Sequence, residues 1–414
     1  FEVEVQGFVS VSAGEMALDD AQRDDEGLPY RFALPVDVAL TPGNSGTWES
    51  LPDGQMLWRL RLSSPGALSL NLGFVRFLLP LTARLLIYPA DDPSRVRRFD
   101  TEFNAGHGQL WTPVFLTDEV VVELLVPAFE RSQVDLELGV IGRGYRLFGE
   151  VDKGDSGACN VDVVCPEGDA WQDETSAVGL LGIAASFVCT GAMINNAESD
   201  GRPLFLTASH CNVTAAVAPT VVVYWNYQSP TCGLRSGGSL AQTSHGSTLL
   251  ARYSTSDFIL LELDQEPDVA FGIKYAGWNR AEPEPTSAVC IHHPRSDVKS
   301  ISFENDPLTT TFYLTDTPSP GTGDHLRVAD WDLSTTEPGS SGSPLFDQNH
   351  RIVGQLHGGY AACDYDLADW FGRLFVSWEG GGSVETRLRD HLDPNGTGVL
   401  AVDRFDPFLS LEIT

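Results

Sequence analysis

The chain has 414 residues, 42% of them hydrophobic, which is enough for packed cores in two or three domains. Its 57 acidic against 26 basic side chains give a formal net charge of -31, which excludes a surface built to neutralise nucleic-acid phosphates or an anionic membrane. No apolar run reaches the ~18 residues of a membrane span; the best candidate, "LGFVRFLLPLTARLLIYP", is broken by arginines and proline. The acidity suits a protein kept soluble by hydrated carboxylates in salty surroundings. A chain that opens on Phe1 rather than Met is expected to have lost its starting end, and any signal peptide with it.

Residues 1 to about 150 alternate short β-rich runs with turn clusters. The runs are "YRFALPVDVALT", "MLWRLRLSS", "ALSLNLGFVRFLL", "ARLLIYPA", "VVVELLVPA" and "VDLELGVIG", with "PGNSG", "LPDG", "ADDPS" and "FNAGHG" between them. With no long helical period, this pattern predicts an antiparallel β-sandwich. The polar segment "FGEVDKGDSGAC" then reads as an exposed linker. Beyond it the β character continues in "TVVVYWNYQS", "FILLELD", "RIVGQLHGG" and "RLFVSWEG". Only "GGSVETRLRDHLD", with Val384, Leu388 and Leu392 at helical spacing, reads as a helix. The divisions expected are 1–153, 154–405 built as two barrels, and a tail at 406–414.

Seven cysteines lie at 159, 165, 189, 211, 232, 290 and 363, and none precedes Cys159. Their spacing lacks the paired C-x2-C of zinc sites, so disulfides and a secreted location are expected, with one thiol left over.

Three short segments carry candidate chemistry. His210 follows an apolar run in "LFLTASHC", Asp257 opens another in "TSDFILLEL", and Ser341 sits among small residues in "EPGSSGSP". Singly, these read as a core histidine, a turn cap and a flexible loop. Together they form the order His, Asp, Ser, which differs from the orders of subtilisins and α/β-hydrolases and matches the chymotrypsin-like double barrel. "TASHC" resembles the histidine motif, and "GSSGSP" the serine motif, of trypsin-like peptidases. More narrowly, "CNVDVVCPEGDAW", "CTGAMINN", "VVVYWNYQSPTC", "AGWNR", "IHHP", "VGQLHGG" and "FGRLFVSWEGGG" resemble blocks of the bacterial lysyl endopeptidases across nearly all of residues 154–405.

The resemblance implies an all-β serine endopeptidase with no metal or organic cofactor. Ser341 would be the nucleophile, His210 its base and Asp257 the residue orienting that base, with the backbone of Gly339 and Ser341 as the oxyanion hole. It puts Asp369 at the base of the primary specificity pocket, with Asp364 and Asp366 as competitors for that role. His357 would lie along the pocket beside a stacked tryptophan, yet the segment that should supply it holds only Phe312 and Tyr313. It implies the disulfides Cys159–Cys363, Cys165–Cys232 and Cys189–Cys211, leaving Cys290 as a buried thiol. At the position of trypsin's activating acid stands Ser340, so that ion-pair switch is missing.

Only three lysines occur, Lys153, Lys274 and Lys299, and Lys153 falls at the domain junction before Gly154. A peptidase cutting after lysine would free its mature chain there, making residues 1–153 a pro-region. The full expectation is a secreted, monomeric lysyl endopeptidase acting on protein or peptide substrates and made as a precursor. Mixed Lys/Arg specificity and an inactive binding module on the same fold are the alternatives.

Overall fold

The computed structural model describes residues 3–9, 11–146, 148 and 155–407. Alternation of apolar and polar residues builds the N-terminal region. In Glu119–Pro127 the side chains of Val120, Val122, Leu124 and Val126 point inward, against Leu60 and Trp58 of Gln55–Ser63. That six-stranded sheet faces a four-stranded one made of Ala33–Leu40, Asp135–Gly144, Ser69–Leu78 and Leu110–Trp111, and a single core fills the space between them. The pairing is antiparallel except for Val5–Gly7, which lies parallel to Arg61–Ser63.

After residue 155 the chain forms two further sheets, antiparallel apart from Trp278–Asn279, which runs parallel to Ile352–Gly359. The first carries strands between Val178 and Leu263 around its own core, and the second carries strands between Val161 and Val402 around another. A third apolar cluster, with Trp278, Trp378, Leu260 and Phe346, draws on both sheets and welds them along a seam. This is the double-barrel arrangement of chymotrypsin-like peptidases.

Several expectations are corrected. A 13-residue helix, Ala13–Asp25, occupies a stretch expected to hold none. It starts at a capping box in which Ser12 and Glu15 satisfy each other's backbone. The run "RLFVSWEG" is not a strand: Asp369–Arg373 is extended, but Leu374–Glu379 turns helical. The C-terminal helix shrinks to a 3-10 turn at Val384–Thr386 and a single turn at Arg389–Leu392. Phe148, placed in an exposed linker, is buried against Phe32 and Tyr224. Asp406, assigned to the tail, lies 3.5 Å from Lys274 Nζ.

The N-terminal region is docked on the first barrel. Tyr30–Arg31 adds an edge strand beside Phe187–Val188, and Phe32 N–H donates to Ser186 O. A mixed apolar core that includes Tyr30, Trp111, Val188 and Tyr227 lies beneath this contact.

Candidate active site

Strand pairing brings the first two candidates together. Leu204–Ala208 and Phe258–Leu263 are neighbours with Ala208 opposite Phe258, so His210, just past the end of one strand, meets Asp257, just before the start of the other. Asp257 accepts His210 N–H at Oδ1 (2.9 Å) and faces the ring Nδ1 at Oδ2 (2.8 Å). Both contacts fix the imidazole with Nε2 free to act as a base. Asp257 adopts φ 52°, a left-handed conformation costly for any residue but glycine, so its surroundings must hold it there. They do so across the seam: Gln355 Nε2 donates to Ser256 O at 2.7 Å, and Ser377 Oγ donates to Ser256 Oγ at 2.9 Å. Gly372 permits this approach, since a Cβ there would stand 1.8 Å from Ser256 O.

The loop Gly339–Ser343 is rigid. Gly339 and Gly342 have φ of 97° and 81°, and a Cβ on Gly342 would meet Thr207 Oγ1 at 2.2 Å. Thr190 N–H donates to Ser341 O, and Gly342 N–H to Leu356 O, each at 2.8 Å, tying the loop to both barrels. Ser340 is buried and its hydroxyl meets His292 Nδ1 at 2.8 Å; Ser343 is buried against Cys290 Sγ at 3.2 Å. Ser341 is the serine of this loop that reaches the cleft. Among the described residues its hydroxyl makes no hydrogen bond, and the N–H groups of Gly339 and Ser341 donate to no protein acceptor. Unpaired backbone donors beside a serine hydroxyl are what a developing oxyanion requires.

Ser341 and Asp369 line one cavity of 290 Å³ together with Thr336, His357 and Ala361. Asp369 is 1% exposed and accepts at Oδ2 from both Thr336 Oγ1 (2.6 Å) and Trp331 Nε1 (2.9 Å). Burial pushes its carboxyl above the usual range, with those two bonds opposing the shift, and among the described residues no cation pairs with it. The competitors Asp364 and Asp366 are exposed.

The missing tryptophan has a replacement. Tyr313 stacks on His357 with ring centroids 3.6 Å apart and planes 5° apart, and the far face of His357 lies 5.4 Å from the ring of His210. Burial pulls His357 down to about 4 and raises the Tyr313 phenol to about 12. From the sequence Tyr313 is only an occupant of the segment lacking the tryptophan, and His325 and Trp331 are not foreseen as site residues. Among the described residues, one group of three possible metal ligands occurs, His210, Asp257 and His357, of which His210 and Asp257 are hydrogen-bonded to each other.

Disulfides join Cys159 to Cys363, Cys165 to Cys232 and Cys189 to Cys211, the last beside His210. Cys290 is free and fully buried, its thiol ionisation suppressed by desolvation.

The N-terminal helix ends at this cleft. Asp24, Glu26, Gly27 and Leu28 line the cavity that holds Ser341 and Asp369, and Leu28 also lines the adjoining one with His210 and Asp257. Arg23 caps the ring of Phe187 at 4.8 Å. A buried clip holds the helix there: Asp20 accepts from Arg31 Nη2 (2.7 Å), Tyr145 Oη (2.9 Å) and Arg146 Nη2 (2.9 Å).

Two family models match the chain: "Lysyl endopeptidase, C-terminal domain" at residues 153–372 and "Lysyl endopeptidase N-terminal domain" at 11–141. A lysyl endopeptidase of Pseudomonas aeruginosa is 31% identical over 342 residues, 76% of this chain and 71% of that protein. Among solved structures, a Glu endopeptidase matches with TM-score 0.34 and 17% identity over 53% of this chain and 95% of that one. The HtrA-type protease AlgW matches with TM-score 0.36 and 13% identity over 55% and 63%.

Proposed function

The chain belongs to the lysyl endopeptidase family and is a serine endopeptidase; from that premise we propose that it is secreted, cleaves on the carboxyl side of lysine, and uses Ser341, His210 and Asp257 as its triad. Ser341 Oγ attacks the scissile carbonyl carbon while its proton passes to His210 Nε2. The carbonyl oxygen becomes an oxyanion facing the N–H groups of Gly339 and Ser341. His210 then gives the proton to the departing amine, leaving an acyl-enzyme. Water, deprotonated by the same imidazole, repeats the sequence and releases the acid. Asp257 holds Nδ1–H throughout and stabilises the imidazolium.

The observation that carries lysine specificity is the buried carboxylate of Asp369, which has hydrogen bonds but, among the described residues, no counter-charge, in the cavity that Ser341 lines. A substrate ammonium supplies the missing charge. Lys299 is fully buried, with its Nζ on Thr175 O, and Lys274 is ion-paired to Asp173 and Asp406, so both are shielded from self-cleavage.

The remaining lysine, Lys153, with Gly154, lies outside the described residues. Its proposed role as the processing site draws support from the helix end in the cleft: Asp24–Leu28 sits where substrate must lie and carries no lysine to cut. Replacing Lys153 with Gln and still finding a mature terminus at Gly154 would sink the precursor reading. The test of the whole is mass spectrometry of fragments from a substrate rich in Lys and Arg. Termini after lysine are expected; equal cutting after arginine discards the specificity, and undiminished cutting by Ser341→Ala discards the nucleophile.

A further inference from the structure

His357 lies between Tyr313 and His210, so its plane is fixed, but stacking alone does not fix which edge of the ring points where. A half-turn about its Cβ–Cγ bond would keep both stacks and exchange a nitrogen for a carbon on each side. The contact that breaks this symmetry is His325 Nε2, 2.9 Å from His357 Nδ1. It directs His357 Nε2 toward Asp257 Oδ2, 3.9 Å away. His325 is itself anchored, its Nδ1 2.7 Å from Asp324 Oδ1 and its side chain 1% exposed.

The protons along this chain follow from its ends. Asp324 accepts from His325 Nδ1–H. If His325 Nε2 were a lone pair, His357 would spend its one proton on it and aim a second lone pair at the Asp257 carboxylate. If His325 carries both protons, it donates to His357 Nδ1, and His357 turns an N–H toward Asp257. The second arrangement turns an N–H toward each carboxylate, Asp324 at one end and Asp257 at the other, and leaves no two acceptors facing each other. We propose that His325, held by Asp324, is a positioning residue that fixes the flip and the proton of His357 so that His357 presents Nε2–H to the carboxylate orienting the catalytic base.

The charged and titratable groups facing this chain are Asp324 and Arg373 at one end, Tyr313 over both rings, and Asp257 and His210 at the other. Loss of the donated proton would leave a lone pair beside Asp257. The carboxylate would then draw His210 more strongly toward its protonated form, and the acid limb of kcat/KM would move to higher pH.

The inference rests on the triad reading, and the experiment separates the two. The full-length chain is expressed with His325→Leu, His325→Gln and Asp324→Asn. Each processed enzyme is titrated with diisopropyl fluorophosphate, and kcat and KM are measured per labelled site from pH 5 to 10. A parent enzyme not labelled at Ser341 refutes the triad reading, not this one. With labelling intact, His325→Leu is expected to lower kcat on the order of 10-fold and raise the acid-limb midpoint. His325→Gln, whose amide still donates to His357 Nδ1, is expected to restore kcat to within about 3-fold, because a neutral donor reproduces the required hydrogen bond. Asp324→Asn should move the acid limb the same way by less. Equal rates in the Leu and Gln variants, or pH profiles superimposable on the parent's, overturn the proposal. Should His325→Leu fail to fold, an Asp324→Asn profile superimposable on the parent's is sufficient to overturn it, and a displaced one sustains it.

Discussion

Replacing Asp369 with Asn tests the pocket most directly, because it removes one charge and keeps the side chain's shape. The amide oxygen can still accept from Trp331 and Thr336, which both donate to a single carboxylate oxygen. The lost term is the attraction between carboxylate and substrate ammonium. At about 4 Å and an effective dielectric near 20, that attraction is about 4 kcal/mol, or a factor on the order of 10^3 in kcat/KM. The assay compares lysyl with norleucyl ester substrates, which share an aliphatic stem and differ in the charge at its end. Lysyl hydrolysis should fall by that factor while norleucyl hydrolysis stays within about 3-fold. Asp364→Asn and Asp366→Asn, on exposed residues, should leave both rates within about 2-fold. Retention of lysyl activity within about 3-fold in Asp369→Asn, or equal loss on both esters, would refute the reasoning. The pH dependence has a definite sign. Burial raises the Asp369 carboxyl above the usual range, so acidification protonates it earlier than an exposed aspartate. KM for lysyl esters should therefore rise on acidification ahead of any change in KM for norleucyl esters.

Three further outcomes follow from the packing. Gly372→Ala forces a methyl against Ser256 O and should displace Asp257, lowering kcat at least 10-fold with a reduced melting temperature; an unchanged kcat would show that the cross-seam contact does not position the aspartate. Replacing Cys189 and Cys211 with Ala opens a link between residues 22 apart, and urea unfolding should show a loss of about 3 kcal/mol. In a chain kept uncut by Lys153→Gln, Asp20→Ala removes the buried carboxylate that Arg31, Tyr145 and Arg146 share, leaving Arg31 ion-paired to Asp19. Hydrolysis of a small lysyl ester should then rise about 10-fold as the helix end leaves the cleft; no rise would mean that the clip does not hold the cleft shut.

The sheets were legible because their signal is local. Alternation in "VVVELLVPA" reports which side chains face a core, and the first barrel's strand pairing brings together His210 and Asp257, the first two residues of the His, Asp, Ser order. The N-terminal helix escaped because it docks through a polar clip rather than an apolar stripe. Asp20 is its buried residue while Leu18 is 89% exposed, so no helical hydrophobic period exists to be read. Its one local mark was the Ser12 and Glu15 spacing. The turn from strand to helix in "RLFVSWEG" escaped because a short apolar run satisfies either periodicity. The stacking role of Tyr313 and the presence of His325 escaped for another reason: a stacking or hydrogen-bonding partner is chosen by the fold across tens of residues, and neither carries a motif of its own.

Cys290 gives the molecule a built-in clock. It sits in a strand of the second barrel directly behind the Ser341 loop, inaccessible and unionised while that barrel is closed, and the other six cysteines are already paired. A thiol-specific label added under native conditions can therefore attach only during an opening of the sheet that carries Ser341. The labelled fraction, followed over time by intact mass, counts those openings one molecule at a time. It reads the lifetime of the closed second barrel without reference to any substrate.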